Sequence, residues 1–285
     1  MDFSWLDRSY VVDWALTLSW FLISGVFREF PVFKRDFSPD DRLISHKHRP
    51  NQVNGTMLHI ISDAVPAVVV LIVAGLRRSI LELHHGLLAL TAAACLQRLI
   101  VTFLKNLVGR LRPDFLDRCK WDGAQCTGKL ELVLDGHRSF PSGHSSAAWA
   151  GMTFLLLYFA DKTNCFRRKQ LFAARSWRGS VLLRVSLTIS PLFISTWVAI
   201  TRLEDYRHHK EDIIVGSIIG FLSAYLMFRV YFPDPFARLS GHEAAGEPSM
   251  VYGSDTGARQ DGFMELEQII DERERVQERE GENNV

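Results

Sequence analysis

Residues 201–232 read TRLEDYRHHKEDIIVGSIIGFLSAYLMFRVYF, a dense charged cluster followed from Ile213 by twenty residues whose one charge is Arg229. As a helix, twenty residues rise about 30 Å, the thickness of a bilayer's hydrocarbon core. On such a helix His208 and Asp212 stack at i and i+4, and Gly216, Gly220 and Ala224 continue the same stripe. A stripe of small residues lets a neighbouring helix approach closely. The stretch therefore reads as a membrane span with a charged site at its mouth and a packing seam below.

Working outward, five more apolar runs occupy roughly 11–30, 58–76, 86–104, 146–160 and 182–200. Of the 285 residues 47% are hydrophobic, and they are segregated into these blocks rather than spread at the period of a soluble helix or strand. The fold expected is all-α and polytopic, with six transmembrane helices. The first run, with Asp13 near its start and no small-residue cleavage site, reads as a retained span. Pro191 inside the fifth is expected to kink it.

The net charge of +1 is a cancellation. Residues 243–285 hold twelve acidic and four basic side chains, which leaves 29 basic against 20 acidic of the chain's 33 and 32. Two parts follow: a membrane domain over 1–232 and an acidic, disordered tail over 233–285, in which Leu266, Ile269, Ile270 and Val276 could line a short helix. Six spans put both termini on one side. The loops 31–57, 105–145 and 201–212 then share the opposite side. The 160–181 loop carries Lys162, Arg167, Arg168, Lys169, Arg175 and Arg178 against Asp161, but the opposite side is basic too, so the charge difference alone does not decide. Reading that opposite excess as substrate-binding charge leaves this loop and the termini in the cytosol.

The chemistry-bearing residues fall in the loops opposite the termini. In the first cluster, Lys105 and Arg112 lie seven apart at the end of the third span, with Pro113 expected to stop the helix at Arg112. On a shared helix face, two cations would grip a phosphate, Arg112 by paired hydrogen bonds and Lys105 as a point charge. The second, Pro141-Ser142-Gly143-His144, opens the fourth span, where unpaired amides form an anion site and Gly143 admits a close ligand. In the third, running from Thr201 and Arg202 to Asp212, Asp212 can fix the tautomer of His208 and leave its other nitrogen free to attack. Each cluster alone also fits an ordinary basic flank, a capped helix start or an ion pair. Together they are the parts of metal-free phosphoryl transfer.

These clusters, Lys105 to Pro113, Pro141 to His144 and Thr201 to Asp212, resemble the signatures Lys-x6-Arg-Pro, Pro-Ser-Gly-His and Ser-Arg-x5-His-x3-Asp of the type 2 phosphatidate phosphatase superfamily. The spacing agrees in all three, and the one departure is Thr201 for Ser. Gly109 to Cys119, Asp135-Gly136 and Asp205 to His209 further resemble the fungal diacylglycerol pyrophosphate and lipid phosphate phosphatases. The resemblance covers roughly 40–232. It implies a helical core like that of the acid phosphatases and vanadium haloperoxidases, with the site on the non-cytosolic face. It also implies hydrolysis of diacylglycerol pyrophosphate and phosphatidate through a phosphohistidine at His208, with Asp212 orienting and His144 donating the leaving-group proton. Lys105, Arg112, Arg202 and the backbone at Ser142 and Gly143 would hold the phosphate. His209, at i+3 from Asp212, is the competing nucleophile by spacing. No metal or other cofactor is expected, magnesium included.

The expected partners are lipid phosphates and the bilayer, in an endomembrane (vacuole, endoplasmic reticulum or Golgi) or the plasma membrane. No nucleic acid is implied, and the oligomeric state is open. Arg98, about 10 Å below Lys105 on a helix, is expected to pair with Asp63. Cys119 and Cys126 are expected to form a disulfide on the oxidising face. The sequon at Asn54 lies so near the second span that it is expected to be unused. Two rivals remain. A transporter would leave the His208–Asp212 pair unexplained. A zinc hydrolase using His144, His208, His209 and Asp212 would set its cation among lysines and arginines.

Overall fold

The computed structural model describes residues 7–166, 180–236, 246–249 and 251–252. The basic residues from Arg167 to Arg178 and the tail residues Leu266, Ile269, Ile270 and Val276 lie outside the described residues. Two units are distinguished, 1–13 with 250–285, and 14–249. In the first, the Tyr10 ring meets the Tyr252 ring edge-on at 4.8 Å, and the Tyr252 hydroxyl donates to the Asp13 carboxylate at 3.0 Å.

The architecture is all-helical among the described residues: α1 (Ser9–Arg28), α2 (Gly55–His59), a π-helical turn (Ile60–Ala64), α3 (Val65–Arg77), α4 (Ile80–Val108), α5 (Phe115–Cys119), α6 (Leu130–Gly136), α7 (Gly143–Thr163), α8 (Val181–Glu204) and α9 (Lys210–Tyr231). The six expected spans fall on α1, on α2 through α3, and on α4, α7, α8 and α9. Five of these segments are long and apolar enough to cross a membrane. The one that is not is α7, which begins Gly143-His144-Ser145-Ser146 and ends with Asp161 and Lys162. At 21 residues α7 is long enough, but it packs against α9, α8, α4 and the π turn; fourteen of its residues are buried and none is exposed. A helix enclosed by protein needs no apolar coat for lipid, whereas α1 and α3 expose Leu18, Leu22, Leu71 and Ile72.

Small residues set the spacing inside the bundle. A Cβ on Gly220 would meet the Ser146 carbonyl at 2.1 Å, and one on Gly216 the Ser142 carbonyl at 2.5 Å. The expected seam is thus the α9–α7 interface, continued by fully buried Ala224. Gly151 does the same for the π turn, whose Ser62 carbonyl lies 2.0 Å from the position of its missing Cβ. Pro191 lies within α8, which continues to Glu204. It lacks the N–H that would bond the Leu187 carbonyl, and the Ser190 hydroxyl donates there instead at 2.8 Å.

The expected Arg98–Asp63 ion pair does not form. Arg98 Nε donates to Ser24 Oγ on α1 at 3.1 Å, and its guanidinium lies over the Phe21 ring. The π turn brings Asp63 against His59, Nδ1 to Oδ2 2.7 Å, so both groups take nearer partners. Cys119 and Cys126 do form a disulfide. It closes the loop after α5, where Gly128 N–H donates to the Cys119 carbonyl.

Candidate active site

The helix carrying Lys105 ends earlier than Pro113 suggests. Gly109 takes a left-handed conformation (φ +58°) and its N–H closes on the Lys105 carbonyl, ending α4 at Val108. A side chain there would collide with the Phe33 carbonyl, so only glycine fits. Lys105 and Arg112 therefore do not share a helix face. The chain leaves the helix and returns, bringing Arg112 to the site from a loop.

That loop arginine is held on three sides. Arg112 Nε and Nη2 donate to the Asp135 carbonyl and carboxylate, each at 2.9 Å, and Nη1 to the Arg207 carbonyl at 3.3 Å. Asp135 is gripped in turn by Arg118, Nη1 to Oδ2 2.6 Å. Arg118 Nε donates to buried Asp114 at 2.8 Å, whose other oxygen lies 2.7 Å from His48 Nδ1. Burial would raise the Asp135 pKa, but the charges of Arg112, Arg118 and Lys105 outweigh it and hold the carboxyl well below its usual range.

Lys105 Nζ donates to the Arg138 carbonyl at 3.0 Å, and its stem passes Gly143, whose Cβ would sit 3.8 Å from Lys105 Cε. Arg202 is almost wholly buried. Its guanidinium donates to Thr201 Oγ1, to Asp205 Oδ2 at 2.7 Å and to Asn51 Oδ1 at 3.2 Å. The hydroxyl of Thr201 thus does what a serine's would, and the departure from the serine pattern keeps the contact.

Ser142 caps α7, its Oγ accepting from the Ser145 amide at 3.3 Å. Its own amide N–H is already given to the Asp212 carbonyl at 2.9 Å. A ligand at this helix start would therefore meet the following first-turn amides, Gly143 and His144, rather than that of Ser142. The Val53 backbone faces the His144 ring, and Nε2 is buried without a hydrogen-bond partner. The charges of Arg202, Lys105 and Arg112 all bear on this ring.

His208 sits between α8 and α9, almost wholly buried. Burial, reinforced by the charges of Arg112 and Lys105, pushes its pKa down to about 3 despite the nearby Asp212, so the ring is neutral. Its Nδ1 lies 3.6 Å from Asp212 Oδ2, beyond a good hydrogen bond. Asp212 is fully buried and otherwise engaged: Oδ1 accepts from Arg110 Nη1 at 2.9 Å, and Oδ2 from Ser139 Oγ at 2.5 Å and the His209 amide at 3.0 Å. The His209 ring turns away, Nε2 3.1 Å from the Leu111 carbonyl.

Lys105, Arg112, Gly143, His144, Arg202, His208 and Asp212 thus gather at one end of the bundle. Arg110, Ser139, Asp114 and Asn51 complete the site but were not singled out in the sequence. Arg110 occupies a variable position of the Lys-x6-Arg-Pro spacing, and Ser139 lies two residues before Pro141. For Arg110, Asp114 and Ser139 the available signal was closeness to residues already marked; Asn51, 151 residues from the Arg202 it meets, had none.

The arrangement is an anion site with a neutral imidazole at its centre, at the end of a helical membrane bundle. Residues 86–235 match the PAP2 superfamily, and the chain belongs to it. The chain is 37% identical to the probable diacylglycerol pyrophosphate phosphatase 1 of Schizosaccharomyces pombe, over 79% of this chain and 80% of that one. It is 34% identical to the diacylglycerol pyrophosphate phosphatase 1 of Saccharomyces cerevisiae, over 77% and 80%. With lipid phosphate phosphatase 2 of Arabidopsis thaliana the identity is 32%, over 80% and 79%. No solved structure matches the chain.

Proposed function

We propose that the protein is an integral-membrane lipid phosphate phosphatase that hydrolyses diacylglycerol pyrophosphate to phosphatidate and phosphatidate to diacylglycerol, without metal. The observation that carries this reading is the neutral, buried His208 on which the fixed cations Lys105 and Arg112 bear. A neutral imidazole is a competent nucleophile, and cations already held by Asp135 and backbone carbonyls need no rearrangement as charge develops on phosphorus. The names of the fungal relatives carry the first of these substrates, diacylglycerol pyrophosphate.

In this mechanism Lys105, Arg112, Arg202 and the free amides at Gly143 and His144 hold the equatorial oxygens. His208 attacks phosphorus through Nε2. The bond to the leaving oxygen breaks, and His144, entering this step as the imidazolium that the bound phosphate's negative charge favours, gives that oxygen the proton on Nε2, a nitrogen buried without a hydrogen-bond partner among the described residues. A water molecule then attacks the phosphohistidine, with neutral His144 taking its proton, and releases phosphate. Asp212 lies on the Nδ1 side of His208 and stabilises the charge that forms there. Closing from 3.6 Å to hydrogen-bond distance on substrate binding is part of the reading. The site's loops carry the Cys119–Cys126 disulfide, which supports a luminal or extracellular site and cytosolic termini.

The test uses wild type and His208→Ala, purified in detergent with EDTA, on both lipids. Phosphate release by wild type should fall at least about 10⁴-fold in the variant, and acid quench should trap a phosphohistidine in wild type alone. Full activity in His208→Ala would move the nucleophile elsewhere, and loss of wild-type activity on chelation would end the metal-free reading.

A further inference from the structure

A cavity of about 660 Å³ runs from the candidate phosphate site into the bundle. Lys105 and Gly143 line one end, and Leu87 and Ala67 the other. From Lys105 to Leu87 is 18 residues of α4, about 27 Å, close to the thickness of the hydrocarbon core. Most of the wall is apolar, built from Leu58, Leu90, Ala94, Val101 and Ala147. Polar side chains interrupt it, among them Thr91, Gln97, Thr102 and Asp63, and about 10 Å below Lys105 the guanidinium of Arg98 enters the wall from α4.

Arg98 is incompletely satisfied. Its Nε donates to Ser24 Oγ and one face of its guanidinium is covered by Phe21. Among the described residues, Nη1 and Nη2 make no hydrogen bond. The one carboxylate in this stretch of wall, Asp63, is held by His59. A guanidinium at membrane depth needs partners for its donors, and such groups mark binding sites. The occupant must then be apolar along most of its length, anionic at the Lys105 end and rich in hydrogen-bond acceptors just below it. A phosphorylated diacylglycerol has this order: phosphate, then ester carbonyls that can only accept, then alkyl chain. A polyprenyl phosphate has no acceptors below its phosphate.

We propose that this cavity is the binding site for the glycerol esters and acyl chain of the substrate, and that Arg98 reads the ester carbonyl, selecting diacylglycerol phosphates over isoprenoid phosphates. The assignment rests on the phosphatase reading above and specifies its substrate class. Ser24 and Phe21 act here by fixing the guanidinium, leaving Nη1 and Nη2 for the lipid.

The experiment compares dioctanoyl phosphatidate with its dialkyl-ether analogue of equal chain length, which lacks the carbonyls. Wild type should favour the diester in kcat/KM by about tenfold, the discrimination one charge-assisted hydrogen bond provides. In Arg98→Leu that ratio should fall to near one. Equal ratios in the two proteins would overturn the role of Arg98. Should Arg98→Leu fail to fold, Ala94→Phe, which narrows the cavity one turn below Arg98, gives an independent reading. Its kcat/KM for dioleoyl phosphatidate should fall about tenfold more than for the dihexanoyl lipid, and an unchanged chain-length profile would overturn the site. Hydrolysis of para-nitrophenyl phosphate separates the two levels. Wild type that cleaves this small ester but neither lipid would end the lipid phosphatase reading and this site with it. Wild type that cleaves diester and diether equally would end only the present inference.

Discussion

The loops above the bundle and the helices within it are held together by opposite means. Above, Arg112, Arg118, Asp114, Asp135 and His48 form a continuous chain of ion pairs and hydrogen bonds, and Asp212 accepts from three separate segments. Below, α9 meets α7 through glycines whose missing side chains let backbone touch backbone. Water competes for polar contacts at the mouth, so only a network with every member fixed keeps a cation aimed. Inside the bilayer apolar contact is available everywhere, so close fit is what distinguishes one helix partner from another.

The largest expected break in this contrast is in the seam. Gly220→Val would drive a side chain into the Ser146 carbonyl and should destabilise the folded protein by about 3 kcal/mol. Gly75→Ala, at a position with nothing within 4 Å, should leave the thermal midpoint in detergent unchanged or raised. Equal midpoints for the two variants would mean that the seam is not tight.

Next in size is the network. Asp135→Asn keeps the shape but removes the charge facing Arg112 and Arg118. A small misplacement of Arg112 should lower kcat/KM for phosphatidate about 10²-fold, with the thermal midpoint moving far less than in Gly220→Val. Unaltered kinetics would show that Arg112 needs no such support.

The smallest effect sharpens the electrostatic side. The His208 ring, assigned in histidine-labelled protein by its loss in His208→Ala, should remain neutral by nitrogen NMR down to about pH 5. Its folded-state pKa of about 3 lies below the ordinary 6.5, so between those values the unfolded chain binds the extra proton. The contribution of this ring to stability is therefore complete above about pH 6.5 and is lost as pH falls toward 3. A titration near 6.5 would place His208 in contact with water.

The comparison also explains what the sequence could reveal. The spans were legible because lipid demands apolar runs, and the Gly216–Gly220–Ala224 seam because helical period alone places it. His208, Asp212, Lys105 and Arg202 were legible because their chemistry is unusual beside a span. The path of the loop was not: Gly109 and Pro113 are both ordinary helix stops, and the contact that makes glycine necessary at 109 comes from distant Phe33. The claims on Asp212 by Arg110 and Ser139 cross about 100 and 73 residues of sequence, a distance no local pattern spans. The Arg98–Asp63 expectation failed similarly, because Ser24 and His59, one from a distant helix, were closer.

The polar ends of α7 bear on how the protein is made. An inserting chain is judged segment by segment for its preference for lipid, and α7, with histidine and serines at one end and Asp161 and Lys162 at the other, is a weak candidate alone. Its natural companions are α8 and α9, the helices it packs against and the next two to be synthesised. Insertion and packing are then coupled for this segment: its enclosure is complete only once α8 and α9 exist, and Gly216 and Gly220 are where α9 receives it.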